Sequence, residues 1–87
     1  MNNTTITKIQ GYTVVALHRT VIVKFNDERI MLNTGGWQTR LTINRMNQIS
    51  KDFNLGYKVY IKNGSVYVDY RNTLYYMAKQ IITLNRK

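Results

Sequence analysis

The sequence contains no cysteine and no proline, and His18 is its only histidine. Without cysteine the chain cannot form disulfides, zinc ribbons or a thiol nucleophile. Small secreted domains usually need disulfides, so their absence favours a reducing cytoplasm. A lone histidine offers too few ligands for a zinc site, and we expect neither a metal nor a cofactor.

Acidic residues are also scarce, since the four are Asp27, Glu28, Asp52 and Asp69. They are too dispersed for the active site of a two-metal nuclease, and no nucleophile–base signature accompanies them. We therefore expect that the protein is not an enzyme. No stretch approaches the ~20 consecutive apolar residues of a membrane span, and residues 1–10 lack a signal-peptide core. These absences predict an intracellular protein that does not enter a membrane.

Positive charge, by contrast, is abundant: 13 lysines and arginines give a formal net charge of +9. One interpretation is a solvated surface that happens to be rich in lysine and arginine. The other is a functional positive field, which is typical of proteins that bind nucleic acid. We favour a polyanionic partner, and nucleic acid before any other.

The 87 residues, 44% of them hydrophobic, are enough for one small domain that spans residues 1–87. β-Branched and apolar runs predict strands at residues 12–18, 20–25 and 29–32, with a turn at Asn26-Asp27. Residues 6–10 would add an edge strand. Together they predict an antiparallel β-meander.

A helical period follows the polar loop that contains Gly35 and Gly36, and it predicts one amphipathic helix over about residues 42–55. Thr42 or Thr39 is a suitable N-cap, and Gly56 stands where a left-handed C-terminal cap prefers glycine. The predicted apolar face consists of Ile43, Met46, Ile49, Ser50 and Phe53.

Residues 57–70 carry the clearest local signal, because Asn63-Gly64 is the preferred turn of a two-residue hairpin. That turn pairs Lys62 with Ser65 and fixes the register of both strands. The core face then carries Tyr57, Val59, Ile61, Val66, Val68 and Tyr70, and the outer face carries Lys58, Tyr60, Lys62, Ser65, Tyr67 and Asp69. The fold class is therefore α+β, with an antiparallel sheet of meander and hairpin packed on one helix.

The tail, residues 72–87, fits two structures. Leu74, Met77, Ile81 and Leu84 would align on a helix, whereas residues 74–76 and 81–84 also suit two short strands. We favour the strands.

The outer face of the hairpin is the first candidate site. Tyr60 lies opposite Tyr67, and Lys58 and Lys62 flank the pair. Single-stranded nucleic acids are bound in this way, with bases stacked on aromatic rings and phosphates next to cations. The alternative is an ordinary cross-strand tyrosine pair, or one that the tail covers.

The second candidate site is the loop into the helix. Free amides at a helix start favour an anion, and hydroxyls and arginines nearby would add donors for a phosphate. Asn44 and Asn47 on the helix could also pair with adenine, although no helix-turn-helix partner precedes them. The alternative is that Gly35-Gly36 make a tight turn and that Trp37 covers the core. The candidate nucleic-acid-binding residues of the two sites are Trp37, Thr39, Arg40, Arg45, Gln48, Lys58, Tyr60, Lys62 and Tyr67.

Over residues 12–70 the chain resembles a group of short, functionally unassigned tailed-phage proteins. The resemblance rests on the order of the motifs TGGW, RMNQ, LGY and VDY. It implies a phage protein in the host cytoplasm and no particular activity. Where the group has a basic residue before the arginine, this sequence has Asn44. The residues to which the resemblance draws attention are His18, Gly35, Gly36, Trp37, Thr39, Arg45, Met46, Asn47, Gln48, Gly56 and Tyr57.

These observations favour a non-catalytic protein that binds nucleic acid, with single-stranded DNA ahead of RNA or duplex DNA. Tyrosine, tryptophan and arginine also dominate protein interfaces, so the alternative is a module that binds and modulates a host enzyme. A small virion or packaging component is a third, weaker alternative. Each of these functions is compatible with a homodimer.

Overall fold

The computed structural model describes residues 3–36, 38–77 and 81–87. The α+β class is confirmed. The elements in chain order are β1 (Thr4–Ile9), β2 (Tyr12–Leu17), β3 (Thr20–Phe25), β4 (Arg29–Asn33), α1 (Arg40–Asp52), β5 (Tyr57–Lys62), β6 (Ser65–Tyr70), β7 (Thr73–Tyr76) and β8 (Ile81–Asn85). Within the described residues, no helix is long and apolar enough to span a bilayer.

The strands form two antiparallel sheets. The first sheet has the order β1-β2-β3-β4-β8, so the predicted meander of β1 to β4 is confirmed. A strand from the tail, β8, is added next to β4. The second sheet has the order β5-β6-β7 and contains the hairpin. The meander and the hairpin thus belong to different sheets, whose buried side chains contribute to one hydrophobic core.

The predicted hairpin register is confirmed from Tyr57 opposite Tyr70 to Lys62 opposite Ser65. The extended interpretation of the tail is also confirmed, because residues 73–76 and 81–85 are both strands. Arg71 and Asn72 make the turn into β7, both with positive φ. The tail therefore contributes one edge strand to each sheet.

The helix begins earlier than predicted. Thr39, not Thr42, is the N-cap, because its Oγ1 accepts a hydrogen bond from the Thr42 backbone N–H at 3.2 Å. Thr42 lies inside the first turn, is 3% exposed, and shares a second hydrogen bond with the Thr39 hydroxyl.

The helix also ends earlier than predicted, at Asp52. Asn54 adopts the left-handed conformation with φ of 55°, while the Leu55 N–H donates to the Ser50 carbonyl at 2.8 Å. The Asn54 N–H donates to the Lys51 carbonyl. These two bonds make a Schellman motif in which asparagine takes the place usually held by glycine. The prediction that Gly56 forms the cap was wrong, because Gly56 follows the motif and leads into β5.

The core is formed by buried side chains from both sheets and from one face of α1. Val15, Val23 and Leu32 come from the first sheet, while Met46 and Ile49 come from the helix, and all are fully buried. The second sheet contributes Tyr57, Val59, Val66, Val68 and Tyr70. Ile61 shares their face but is 40% exposed, because β5 extends beyond the core at that position. Phe53 is likewise 40% exposed and lies against Phe25 at the margin.

Candidate nucleic-acid interface

Three tyrosines form a row across the outer face of the second sheet. Tyr60 lies directly opposite Tyr67, and Tyr67 lies directly opposite Tyr76. The ring centroids are 5.9 Å apart in the first pair, with an interplanar angle of 27°, and 5.6 Å apart in the second. Tyr60 and Tyr67 are half-buried, whereas Tyr76 is 58% exposed. We call this row the tyrosine ladder.

The two lysines beside the tyrosine ladder are not equivalent. Lys58 lies directly opposite Asp69, so that row of the sheet carries both signs of charge. Lys62 lies opposite Ser65 and lines a shallow depression with Tyr60 and Tyr67. An anion next to the rings would therefore meet Lys62 without a facing carboxylate in that pair of strands.

A groove separates the start of α1 from β5 and has a volume of about 500 Å³. Arg40, Ile43, Asn44 and Asn47 line it from the helix, and Val59, Tyr60 and Ile61 line it from the strand. Tyr60 thus belongs both to this helix–strand groove and to the tyrosine ladder. Through it the structure brings Arg40 of one candidate site next to the aromatic residues of the other.

Helix side chains fix this geometry by bonding the outer edge of β5. The Asn47 amide donates to the Val59 carbonyl at 2.8 Å and accepts from the Val59 N–H at 2.7 Å. One turn later, the Ser50 hydroxyl donates to the Tyr57 carbonyl at 2.7 Å and accepts from the Tyr57 N–H. The Asn47 amide is consequently engaged by the protein itself, whereas Asn44, the other asparagine of α1, is exposed and lines the groove.

Tyr57 adds a third link between α1 and β5. Its phenol is buried and donates a hydrogen bond to the Met46 carbonyl at 2.6 Å. Burial raises the pKa of Tyr57 far above the usual value near 10, because the charged form would lose its hydration. This tyrosine is therefore a structural element of the site and not a ligand-facing one.

Three of the predicted residues are engaged elsewhere. Arg45 donates through Nε to the Thr4 hydroxyl of β1 at 2.9 Å and through a terminal nitrogen to Gln48 at 3.3 Å. The Thr39 hydroxyl is occupied by the helix cap. Neither Arg45 nor Gln48 lines the helix–strand groove or the depression beside Lys62, so the structure does not bring them to the tyrosine ladder. Trp37 lies outside the described residues.

The loop before the helix has a geometric role. Gly35 and Gly36 both have positive φ, and the Asn33 side chain accepts a hydrogen bond from the Gly35 N–H at 2.8 Å. A Cβ on Gly35 would overlap the methyl group of Thr20, so this loop packs tightly on β3. These contacts agree with the interpretation of the paired glycines as a tight turn.

His18 lies in the turn between β2 and β3, with φ of 57°, and is exposed. Together with Leu17, Ile22 and Leu41 it lines an apolar pocket of about 570 Å³ near the start of α1. Within the described ranges, no group of three or more histidine or acidic residues is placed to hold a metal ion.

Sequence reasoning missed three residues of this surface: Tyr76, Leu74, and Ile61 as an exposed edge residue. It weighed Asn44 for pairing with adenine but did not predict its place in the groove. The alternation of Leu74 and Tyr76 was a usable signal, since period-two spacing continues the outer face of the hairpin onto β7. The Arg71-Asn72 turn obscured it, because neither residue is a glycine.

The family model described as Kyanoviridae Gp96 protein matches residues 1–83. No curated protein and no solved structure matches the chain. The phage setting that the sequence resemblance implied is thereby confirmed. Because the match covers almost the whole sequence, the chain belongs to the Kyanoviridae Gp96 family of phage proteins.

Proposed function

We propose that this phage protein binds single-stranded nucleic acid without catalysing a reaction, with DNA preferred over RNA. The observation that carries the proposal is the tyrosine ladder, three rings in contact across one face of a small, strongly basic protein. Base stacking on such rings contributes ~1–3 kcal/mol per base and does not depend on sequence.

Exposure supports a ligand-binding role for the ladder. Tyr76 is 58% exposed and stands at the outer end of the row, so one side of its ring is open to a base. The near-parallel pair of Tyr60 and Tyr67 continues from it across the sheet. An extended strand of nucleotides that crosses the β-strands would meet the three rings in succession.

Phosphates are assigned to Lys62 and Arg40, which lie on either side of Tyr60 in the depression and in the helix–strand groove. Lys58 contributes less, because Asp69 lies opposite it. Arg45 is assigned no phosphate, because it already bonds Thr4 and Gln48 and lines neither the depression nor the groove.

The test is fluorescence anisotropy with labelled oligo(dT), oligo(rU) and duplex DNA at several salt concentrations. Log affinity for single strands should fall linearly with log salt, by ~0.7 per phosphate contacted. Tyr67→Ala should weaken binding about 5- to 150-fold with little change in that slope, whereas Tyr67→Phe should bind as the wild type does.

Lysine substitutions supply the complementary control. Lys62→Ala should make the salt slope shallower by ~0.7, the contribution of one phosphate. Lys8→Ala removes the same charge from exposed β1 and should leave the slope unchanged. If the wild type binds no oligonucleotide even at low salt, the nucleic-acid proposal is wrong.

A second candidate, a module that binds a host protein, is favoured by one observation. Leu74 and Tyr76 are both 58% exposed on the outer face of β7, and exposed apolar and aromatic pairs commonly anchor protein interfaces. Failure to bind any oligonucleotide, followed by capture of one defined host enzyme that Tyr76→Ala abolishes, would establish this function instead.

A further inference from the structure

The outer edge of β5 is covered by α1 at two positions and is open at the third. In an antiparallel hairpin, alternate residues direct their N–H and C=O groups away from the partner strand. Tyr57 and Val59 are two such residues, and their groups bond Ser50 and Asn47 of the helix. Ile61 follows at the same spacing, so its N–H and C=O point towards the same side.

The helix presents a matching side chain at that level. Ser50 and Asn47 are three residues apart, and three residues further towards the helix start is Asn44. Asn44 is exposed and lines the helix–strand groove with Ile61. Among the contacts of the described residues, neither the Asn44 amide nor the backbone of Ile61 bonds across the groove. A backbone donor, a backbone acceptor and a side-chain amide therefore converge there.

The geometry points to a small planar ligand and not to an added β-strand. Strand addition needs a run of free edge groups, yet α1 already occupies the edge at Tyr57 and Val59. One residue with an adjacent donor and acceptor suits the hydrogen-bonding edge of a nucleobase, which carries donors and acceptors side by side. The groove volume of about 500 Å³ also falls within the ~300–1,000 Å³ of small-ligand sites.

We propose that the helix–strand groove binds one unstacked nucleobase by its edge, through the Ile61 backbone and the Asn44 amide. The inference rests on the proposed function, because the base belongs to the strand that stacks on the tyrosine ladder. Arg40 at the groove lies where it can contact the phosphate of that nucleotide, and Tyr60 connects the groove with the ladder. The ladder binds any sequence, whereas the groove confers a preference among bases.

The experiment compares affinities for labelled oligo(dA), oligo(dC), oligo(dT) and a mixed oligonucleotide containing guanine. Ile61→Pro removes the free N–H at an edge position where the sheet loses no ladder bond. Ile61→Val keeps the N–H and is the matched control. Asn44→Ala removes the amide from an exposed helix position, and it tests the groove independently if the proline variant does not fold.

We expect the wild type to prefer one oligonucleotide, and we expect Ile61→Pro and Asn44→Ala each to reduce that preferred affinity about 2- to 10-fold, the loss of one hydrogen bond. Ile61→Val should be unchanged, and Tyr67→Ala should weaken all four ligands alike. In parallel, the backbone amide resonance of Ile61 should shift when the preferred deoxynucleoside monophosphate is added.

Two negative results have different meanings. If the wild type binds all oligonucleotides and both groove variants match it for each one, the base-binding inference is wrong while nucleic-acid binding stands. If the wild type binds none of them and no monophosphate shifts the Ile61 resonance, the proposed function and the inference fail together.

Discussion

Replacing Asn47 with alanine should strongly destabilise the fold, although the residue is only half-buried. Its side chain makes two hydrogen bonds, of 2.7 and 2.8 Å, to the N–H and C=O of Val59. Val59 itself is 1% exposed. Removal of the amide leaves a backbone donor and a backbone acceptor without partners.

The magnitude follows from those two groups. An unsatisfied buried polar group costs ~1–3 kcal/mol, so the pair sets a range of about 2–6 kcal/mol. Val59 also lines the helix–strand groove, from which water can partly replace the lost bonds. We therefore expect the lower part of the range, about 2–4 kcal/mol.

Asn44→Ala is the matched control, since it makes the same substitution one turn earlier on an exposed part of the same helix. It should change the free energy of unfolding by no more than ~0.5 kcal/mol. Urea unfolding followed by circular dichroism measures both variants, and thermal unfolding should show about 4–8 °C per kcal/mol. If Asn47→Ala costs no more than Asn44→Ala, the edge of β5 does not depend on this amide and the reasoning is refuted.

Three further variants test other parts of the fold. Tyr57→Phe removes the hydrogen bond to the Met46 carbonyl, so in urea unfolding at pH 8 its free energy of unfolding should be ~0.5–1.5 kcal/mol lower than that of the wild type. Above pH ~10 the free energy of unfolding of the wild type should decrease by up to ~1.4 kcal/mol per pH unit, and this difference should disappear. Gly35→Ala should destabilise by at least ~1–2 kcal/mol in urea unfolding, because of its positive φ and its overlap with Thr20. Thr39→Ala should cost ~0.5–2 kcal/mol of helix capping in the same assay, whereas Thr39→Ser should retain most of it.

The sign of the pH effect follows from proton binding. The folded state holds the Tyr57 proton at pH values where the unfolded chain releases it, so stability is full below pH ~10 and decreases above it. An unfolding free energy that changes equally with pH in the wild type and in Tyr57→Phe would contradict this assignment.

For Gly35→Ala, adding Thr20→Ser removes the overlapping methyl group. The double variant should recover part of the lost free energy of unfolding but not the cost of positive φ.

The sequence predicted the local structure well where a residue has a strong conformational preference. Asn63-Gly64 determined the whole register of β5 and β6, because a two-residue turn leaves one pairing. The helix ends were harder to predict. Thr39 and Thr42 are equally good caps in sequence, and the structure selects Thr39, whose backbone is extended and whose hydroxyl accepts the Thr42 N–H. Asn54 took the C-terminal position ahead of Gly56 through bonds that pattern alone does not reveal.

The candidate site was only half predictable for a related reason. Tyr60 and Tyr67 follow from the hairpin register, since cross-strand neighbours are local in sequence. Including Tyr76 required knowledge of how the tail pairs. Arg40 was predicted, but its place beside Tyr60 depends on the packing of α1 on β5. Arg45 bonds Thr4 of β1, which lies 41 residues away in sequence. Contacts of that kind are set by the tertiary structure.

The position of β8 has a consequence for the order of folding. β1 to β4 pair with their sequence neighbours, and so do β5 to β7, so both groups can form from short loops. β8 instead pairs with β4, joining Asn33 to Ile81, and the Arg86 guanidinium and N–H then bond the carbonyls of Asn26 and Glu28. Closure of that long loop comes at an entropic cost which the local hairpins do not bear. The first sheet should therefore acquire its last strand late, and the amide protons of β8 should be the last in the sheet to gain protection from exchange during refolding.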